Sequence, residues 1–165
     1  MAFRLNDISA GELDPLIVDV AAEHDVPYVA MHMKGDPRTM QSMTDYRDIV
    51  AEVVDYFRER TAQLRERGVR RIVVDPGFGF AKTLEQNYEL LRGLHSLAEL
   101  GYPVLAGVSR KSMIYKLLGT TPAEALNGTT ALHWECLRQG AVILRAHDTR
   151  EAVEVVRMFD QFMQA

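Results

Sequence analysis

The stretch RIVVDPGFGFAKTLEQNYELL, residues 71–91, decides the fold. A short β-branched run ends in Asp75, two glycines then alternate with two phenylalanines that a loop would expose, and a helical pattern begins near Thr83. This order is typical of a strand that leads through a loop into a helix. Glycines at such a loop allow a sharp bend or the close approach of a ligand. An ionised carboxylate at the end of an apolar strand is costly unless something binds it, so Asp75 is the first candidate functional residue.

The same alternation of strand and helix patterns recurs along the chain. Apolar, β-rich runs occupy residues 3–9, 27–33, 71–75, 103–109 and 141–147. Amphipathic helical patterns cover roughly residues 14–24, 45–67, 84–99, 111–118, 122–138 and 150–163. Gly68, Gly101 and Gly140 stand where the residue after a helix adopts a positive φ. Alternating strands and helices predict right-handed β-α-β crossovers and a parallel sheet.

The number of units restricts the architecture. Five β/α units predict either an open doubly wound sheet or part of a TIM-type (β/α)₈ barrel, because a closed barrel needs eight strands and typically about 250 residues. The chain has 165 residues, which is the size of one ordinary domain.

Composition excludes several classes of function. The chain has 19 Lys+Arg and 23 Asp+Glu, a formal net charge of −4, which argues against a general nucleic-acid binder. No apolar run reaches membrane-spanning length and no signal-peptide pattern is present, so we expect a cytoplasmic protein without a membrane partner. Cys136 is the single cysteine, so no intrachain disulfide can form.

Polar and ionisable residues collect where the predicted strands end, which is where parallel α/β folds place their sites. Asn6 and Asp7 end the first strand, and they suit a turn or a helix cap as well as a ligand. His32 ends the second strand among methionines, where an interior histidine with satisfied hydrogen bonds competes with a catalytic role. We expect the Asp75 carboxylate at the third strand end to be held out of bulk solvent.

The last two strands end in cationic groups. The run Ser109-Arg110-Lys111-Ser112 suits either a solvated helix start or an anion site. Arg145 and His147 could be a surface pair, but their i, i+2 spacing points both side chains to one face, which suits a divalent anion. The residues alone therefore predict a carboxylate for a nitrogen-rich neutral ligand, a cation from the fourth strand and an anion subsite on the fifth.

Five ordered motifs resemble those of the dihydropteroate synthases of bacterial folate biosynthesis. They are LNDISAG (5–11), YVAMHMKGDPRTMQ (28–41), DPGFGFAKTLEQNYELL (75–91), GVSRKSMI (107–114) and LRAHD (144–148), with ALNGTTALH (125–133) between the last two. The similarity runs essentially from end to end of the chain.

The resemblance implies a transferase that condenses 6-hydroxymethyl-7,8-dihydropterin diphosphate with p-aminobenzoate, releasing diphosphate and giving 7,8-dihydropteroate. It implies a (β/α)₈ barrel, a homodimer formed through the later helices, Mg²⁺ at the diphosphate and inhibition by sulfonamides. Small molecules, and no nucleic acid or membrane, are then the expected partners.

The resemblance also assigns pterin contacts. Asp75 matches the buried aspartate that accepts hydrogen bonds from the guanidine-like edge of the pterin, Asn6 matches a pterin-binding asparagine, and Lys111 matches a lysine that donates to the pterin ring. Met31 and Gly107 would line the pterin slot.

The remaining matches concern the second substrate and the leaving group. Phe80 would lie beside the aminobenzoate ring, Gly79 would give access to the backbone, and Ser112 would hold the aminobenzoate carboxylate. Arg145 and His147 match the site of the β-phosphate. Together with Asp75 and Lys111 they form the expected catalytic set.

The resemblance begins at the family's fourth strand. We therefore expect residues 1–165 to form a single pterin-binding (β/α) barrel domain that lacks the first three β/α units, together with the family's magnesium ligand. Such a chain would have little activity alone and would pair with itself or with the missing barrel segment, since open sheet edges attract partners.

Two other functions remain open. One is a pterin-binding methyltransferase that moves a methyl group from methyltetrahydrofolate to a corrinoid protein, and the other is a non-catalytic barrel fragment or assembly module.

Overall fold

Five parallel strands alternate with helices in the computed structural model, which describes residues 4–164 and, for Gln41, the backbone alone. The strands are β1 (Leu5–Asp7), β2 (Tyr28–Met31), β3 (Ile72–Asp75), β4 (Leu105–Ala106) and β5 (Ile143–Leu144). The helices are α1 (Leu16–Glu23), α2 (Ile49–Glu66), α3 (Leu84–Arg92), α4 (His95–Ala98), α5 (Ser112–Leu118), α6 (Leu126–Arg138) and α7 (Thr149–Gln164). Short 3₁₀ turns cover Met40–Ser42 and Pro122–Glu124.

The predicted order of elements is confirmed, and the strands are shorter than their apolar runs. The first predicted strand starts at Phe3, which lies outside the described residues. The helix predicted over 84–99 is divided near Gly93 into α3 and α4. Two predicted helix ends are confirmed: Gly68 and Gly140 directly follow the last cap residues of α2 and α6, with φ values of 89° and 94°. Gly101 also has a positive φ, 80°, but it lies two residues beyond Glu99, which caps α4.

The strands lie side by side in chain order. The first three form one sheet in the order β1-β2-β3, and β4 pairs with β5 in a second. A parallel bridge between Val74 and Val104 joins the two sheets, and the Val74 amide donates to Pro103 O at 3.0 Å. The α/β class with parallel strands is thereby confirmed.

The larger core lies between the strands and the helices. Tyr28, Ile72 and Val74 point from the strands into this core, where Phe57 of α2 and Leu90 of α3 are also fully buried. None of the helices between residues 4 and 164 is both long and apolar enough to cross a bilayer.

The opposite side of the strands, here called the inner face, carries a smaller cluster of Val29, Val73 and Leu105, with Ile143 packed against it. Side chains alternate along a strand, so a residue two positions further on points to the same face. By this alternation, the carboxyl end of the inner face carries Met31, Asp75, Gly107 and Arg145. The pairing of Met31 with Asp75 and of Asn6 with Val29 places Asn6 on it as well.

Capping hydrogen bonds fix the residues at which α2 and α3 begin. Asp48 caps α2 by accepting from the Ala51 amide at 3.0 Å. Thr83 and Gln86 form a capping box at the start of α3, so the loop after β3 ends at a defined residue.

Asp7 is the structural anchor of the loop after β1, which favours the turn interpretation for this residue. Its carboxylate accepts hydrogen bonds from the Ser9 amide and hydroxyl, the Gly11 amide and the Tyr28 hydroxyl, at 2.6–2.9 Å. Burial raises the pKa of Asp7, but the hydrogen bonds from Tyr28, Ser9 and Gly11 outweigh this effect and leave the pKa below its usual value.

Replacing Asp7 by Ala is expected to lower the free energy of unfolding by about 3 kcal/mol, because buried donors lose a charged acceptor. The pKa of Asp7 is lower in the folded chain than in the unfolded chain. The stabilisation is therefore complete at a pH above the pKa of the unfolded chain, and it is lost as the pH falls through the pKa of the folded chain. Urea denaturation near neutral pH and below about pH 4 measures both effects. Asp160→Ala, at an exposed position on α7, is the control; an equal loss in both variants would contradict the assignment.

Candidate functional site

The candidate site is centred on Asp75, whose predicted burial is confirmed: the residue is fully buried. Its Oδ1 accepts a hydrogen bond from the Gly77 amide at 2.8 Å. Its Oδ2 lies 2.8 Å from Arg145 Nη2, but the N–H bonds are not directed at this oxygen, and Oδ2 accepts no hydrogen bond from the described residues. The positive charge of Arg145 thus compensates the charge of the carboxylate, while Oδ2 can still accept hydrogen bonds.

Arg145 connects the first and last strands across the inner face. Its Nη1 donates to Asn6 Oδ1 at 3.1 Å while Nη2 faces Asp75. Gly107 makes room for this guanidinium, because a Cβ added there would lie 2.5 Å from Arg145 Nη2. The Arg145 side chain is 40 % exposed, so the guanidinium reaches solvent on the side away from Asp75.

Lys111 approaches the same region from the start of α5. Its Nζ donates to the carbonyl of Phe78 and lies 4.9 Å from the centroid of the Phe80 ring. Burial lowers the pKa of Lys111 to about 8; the Asp75 carboxylate raises it and Arg145 lowers it. The same lysine packs against Gly79, where an added Cβ would lie 3.4 Å from its Cδ.

The two phenylalanines of the β3–α3 loop have different environments. Phe78 is fully buried in the main core, so the expectation that both rings are exposed is wrong for this residue. Phe80 is partly exposed and offers a ring face beside Lys111. Met31 is buried beneath the loop, with its Cγ 3.3 Å from the position of a Cβ at Gly77.

The residues of the run Ser109–Ser112, between β4 and α5, contact different partners. Ser109 Oγ lies 3.0 Å from His147 Nδ1 and also accepts from the His147 amide at 3.1 Å. Arg110 makes a bidentate ion pair with Asp148, both contacts at 2.8 Å. Ser112 is the first residue of α5 and is partly buried. Ser109 and Arg110 therefore fix the loop after β5, while Lys111 faces Asp75.

The sequence reasoning missed two polar residues that hold the β3–α3 loop. Asn87 of α3 is buried and accepts from the Gly79 amide at 2.7 Å. Lys82 is also buried, and burial lowers its pKa to about 7; the Asp75 carboxylate raises this pKa, while Lys111 and Lys34 lower it. A cation directly before a helix N-terminus is electrostatically unfavourable, and this was the available signal in the sequence.

A cleft runs along the inner face beside this cluster, and its lining includes Asn6, Leu105, Ile143 and Arg145. Asp75 and Lys111 do not line it. Arg145 belongs both to the cleft wall and to the ion pair with Asp75, so in this state its guanidinium separates the carboxylate from the cleft.

The side chains at this site do not fit a Mg²⁺ ion. Within residues 4–164, no three His, Cys, Asp or Glu residues come together as a metal-binding group. Mg²⁺ prefers an octahedron of oxygen ligands, whereas the Asp75 carboxylate is surrounded by cations.

Comparison with known proteins identifies the family of this chain. The family model described as pterin binding enzyme matches residues 2–147. The chain is 43% identical over 162 residues to a dihydropteroate synthase of Synechocystis sp., covering 96% of this chain and 56% of the relative. It is 41% identical over 166 residues to that of Escherichia coli strain K12, covering 99% and 58%. The chain therefore belongs to the pterin-binding enzyme family.

Solved structures agree in fold. The dihydropteroate synthase of Thermus thermophilus in complex with 6HMPPP superposes with a TM-score of 0.91 at 41% identity, over 96% of this chain and 63% of the other. The same enzyme in complex with 4-aminobenzoate gives a TM-score of 0.92, over 97% and 66%. That of Yersinia pestis with a sulfonamide drug gives 0.95 at 34% identity, over 99% and 60%. The resemblance inferred from the motifs is confirmed, and the chain spans 56–58% of the length of the two relatives above.

Replacing Asp75 by Asn is expected to lower the pKa of Lys82 below about 7 and that of Lys111 below about 8, because the carboxylate charge favours both ammonium forms. The ¹³Cε shifts of the lysines, followed by NMR over a pH titration, measure both values. Lys116 is exposed on α5 and serves as the internal control. Unchanged titration of Lys82 and Lys111 would show that Asp75 does not act on them.

Proposed function

We propose that this member of the pterin-binding enzyme family is the pterin- and anion-binding part of a dihydropteroate synthase. The observation that carries the proposal is the fully buried Asp75 carboxylate at the end of a parallel strand, one oxygen of which accepts no hydrogen bond from residues 4–164. A flat heterocycle with a row of N–H donors satisfies that oxygen as an arginine would. The reaction is the condensation of 6-hydroxymethyl-7,8-dihydropterin diphosphate with p-aminobenzoate.

The pterin would enter by exchanging partners with Arg145. Its donor edge replaces the guanidinium at Asp75, and the released Arg145 turns toward the diphosphate. Asn6, which accepts from Arg145 in this state, contacts the pterin in the bound state. Lys111 donates to the pterin ring, while Met31 and the space above Gly107 form the slot for the ring system.

The diphosphate end is held by Arg145 and His147. Ser109 Oγ accepts from the His147 amide and lies 3.0 Å from Nδ1. In the tautomer that accepts the Ser109 hydroxyl at Nδ1, the ring proton would be on Nε2 and would be available to an anion. Lys82, Lys111 and Arg145 act on the single charge of Asp75, and when both lysines are protonated they give three positive charges against one negative charge. The resulting surplus of positive charge suits the negative charge that develops on the leaving diphosphate.

The protein supplies position and charge instead of a nucleophile. The nitrogen of p-aminobenzoate attacks the exocyclic carbon of the pterin as the bond to diphosphate breaks, so the residues act by orientation and by stabilising the leaving group. Phe80 offers its ring beside the aminobenzoate, and Gly79 leaves the backbone accessible. Ser112 is assigned to the aminobenzoate carboxylate through the family motif.

The fold we propose is five β/α units of a TIM-type (β/α)₈ barrel, with residues 1–165 as one domain that lacks the first three units. The small apolar cluster of the inner face supports this proposal, because it would complete its core against further strands. The partners would be the missing barrel segment or a second copy of the chain, and any Mg²⁺ would be held by residues outside this chain.

Replacing Asp75 by Ala is expected to weaken binding of 6-hydroxymethyl-7,8-dihydropterin diphosphate by about 3 kcal/mol, or about 100-fold in Kd, because a charged acceptor is lost. Isothermal titration calorimetry on the purified chain measures this change. Asp160→Ala is the matched control. An unchanged affinity in Asp75→Ala would favour a non-catalytic assembly module.

Joining this chain with the N-terminal portion of the Synechocystis relative is expected to restore condensation of the pterin diphosphate with p-aminobenzoate, whereas the chain alone has little activity. Release of diphosphate measures the reaction, and a sulfonamide should inhibit it. If the joined protein binds pterin but neither p-aminobenzoate nor a sulfonamide, the methyltransferase interpretation is favoured and the synthase assignment is wrong.

A further inference from the structure

Lys82 is an almost completely buried lysine whose hydrogen bonds are all made inside the protein. The residue is 7 % exposed. Its Nζ donates to Phe80 O at 2.9 Å and to Gly77 O at 3.1 Å, and it lies 3.1 Å from His32 Nδ1. An ammonium group has three N–H donors, and these three acceptors match them one for one.

The three acceptors belong to two different strand ends. His32 directly follows β2, whereas Gly77 and Phe80 lie in the loop that follows β3. The two segments touch, since a Cβ at Gly77 would lie 2.1 Å from His32 O. Lys82 therefore connects the β3–α3 loop to the end of β2, next to the close approach of Gly77 and His32.

This loop has an irregular backbone that needs such a support. Gly77, Gly79 and Ala81 have φ values of 70°, 81° and 51°, so the sign of φ alternates along the loop. A single backbone hydrogen bond closes it internally, from the Phe80 amide to Gly77 O at 3.1 Å. The side chains of Lys82, Lys111 and Asn87 supply further hydrogen bonds to the loop.

Movement of this loop would reach the candidate site directly. The Gly77 amide donates to Asp75 Oδ1, so the position of Gly77 sets the orientation of the carboxylate. Phe78 O, between the two carbonyls that Lys82 holds, accepts from Lys111. Lys82 thus acts on Asp75 and Lys111 through the loop.

We propose that Lys82 is a positioning residue of the pterin site, whose ammonium group fixes the Gly77–Phe80 loop and thereby orients Asp75 and Lys111 for the ligand. The proposal rests on the proposed function, because the ligand is the pterin diphosphate. It adds a residue that binds no substrate atom and acts through the loop backbone.

The charge of Lys82 is sensitive to its surroundings. The titratable groups that face it are His32 after β2, Asp75 at the end of β3, Lys111 before α5 and Lys34 in the loop after β2. Burial lowers the pKa of Lys82 to about 7, and burial also lowers the pKa of His32. Because a neutral amine has two donors, the three contacts weaken as the pH rises through this range.

The first test needs no ligand. In Lys82→Met, the amide protons of Gly77, Gly79 and Phe80 are expected to exchange at least about tenfold faster, while those of α6 keep their rates. A uniform change over all amides would show a role in global stability alone, and an unchanged loop would overturn the proposal. Lys116→Met on the exposed side of α5 is the matched control.

The second test follows the affinity for 6-hydroxymethyl-7,8-dihydropterin diphosphate by calorimetry. Lys82→Met is expected to bind about tenfold more weakly than the unaltered chain near pH 6, and the ratio should shrink to less than about threefold near pH 8.5. A ratio that does not change with pH would contradict a role for the ammonium charge. If the unaltered chain binds no pterin, the proposed function fails, and the exchange experiment still decides the role of Lys82.

A second pair of variants covers the case in which Lys82→Met does not fold. His32→Asn keeps an acceptor near the position of Nδ1, whereas His32→Leu removes it and leaves Lys82 in place. Faster loop exchange in His32→Leu, with recovery in His32→Asn, supports the proposal. Equal exchange in both variants overturns it.

Discussion

A carboxylate held out of water at the end of β3 is the constraint on which the remaining structure depends. An ionised carboxylate that is fully buried costs several kcal/mol unless charges and hydrogen bonds compensate. The chain compensates for Asp75 with the Gly77 amide and with Lys82, Lys111 and Arg145. Burial disfavours the charged form of both lysines, so they depend on the carboxylate in turn. The strand ends therefore form one electrostatic unit.

Much of this unit could be predicted from the sequence because it follows from local rules. Apolar runs alternating with amphipathic patterns predicted the parallel strands, and glycines predicted the helix ends. The period of two along a strand then puts Asp75 on the same face as Val73, and Arg145 on the same face as Ile143. This rule predicts that residues far apart in sequence meet at the carboxyl-end edge of the sheet, even when their contacts are not known.

The remaining features depend on partners that no local pattern specifies. Phe78 and Phe80 have similar surroundings in the sequence, yet the first is buried in the core and the second is partly exposed beside Lys111. The positive φ of Gly77, Gly79 and Ala81 breaks the extended backbone that would place both rings on one face. Ala81 adopts a left-handed conformation that only tertiary contacts can enforce. Arg110 and Lys111 are neighbouring cations, but Asp148 is the partner of the first and Asp75 faces the second.

The ion pair between Asp75 and Arg145 gives the proposed site a reason to be selective. A pterin without an anion would satisfy Asp75 but would leave Arg145 without its partner, and a free diphosphate would do the reverse. Leaving the fully buried Asp75 carboxylate without its cation is strongly unfavourable, so a free diphosphate is penalised, whereas the 40 % exposed Arg145 guanidinium can be solvated when a pterin displaces it. A molecule that joins a donor edge to a diphosphate replaces both partners at once. In the proposed function, the geometry that neutralises the empty site would therefore favour the joined ligand over a free diphosphate.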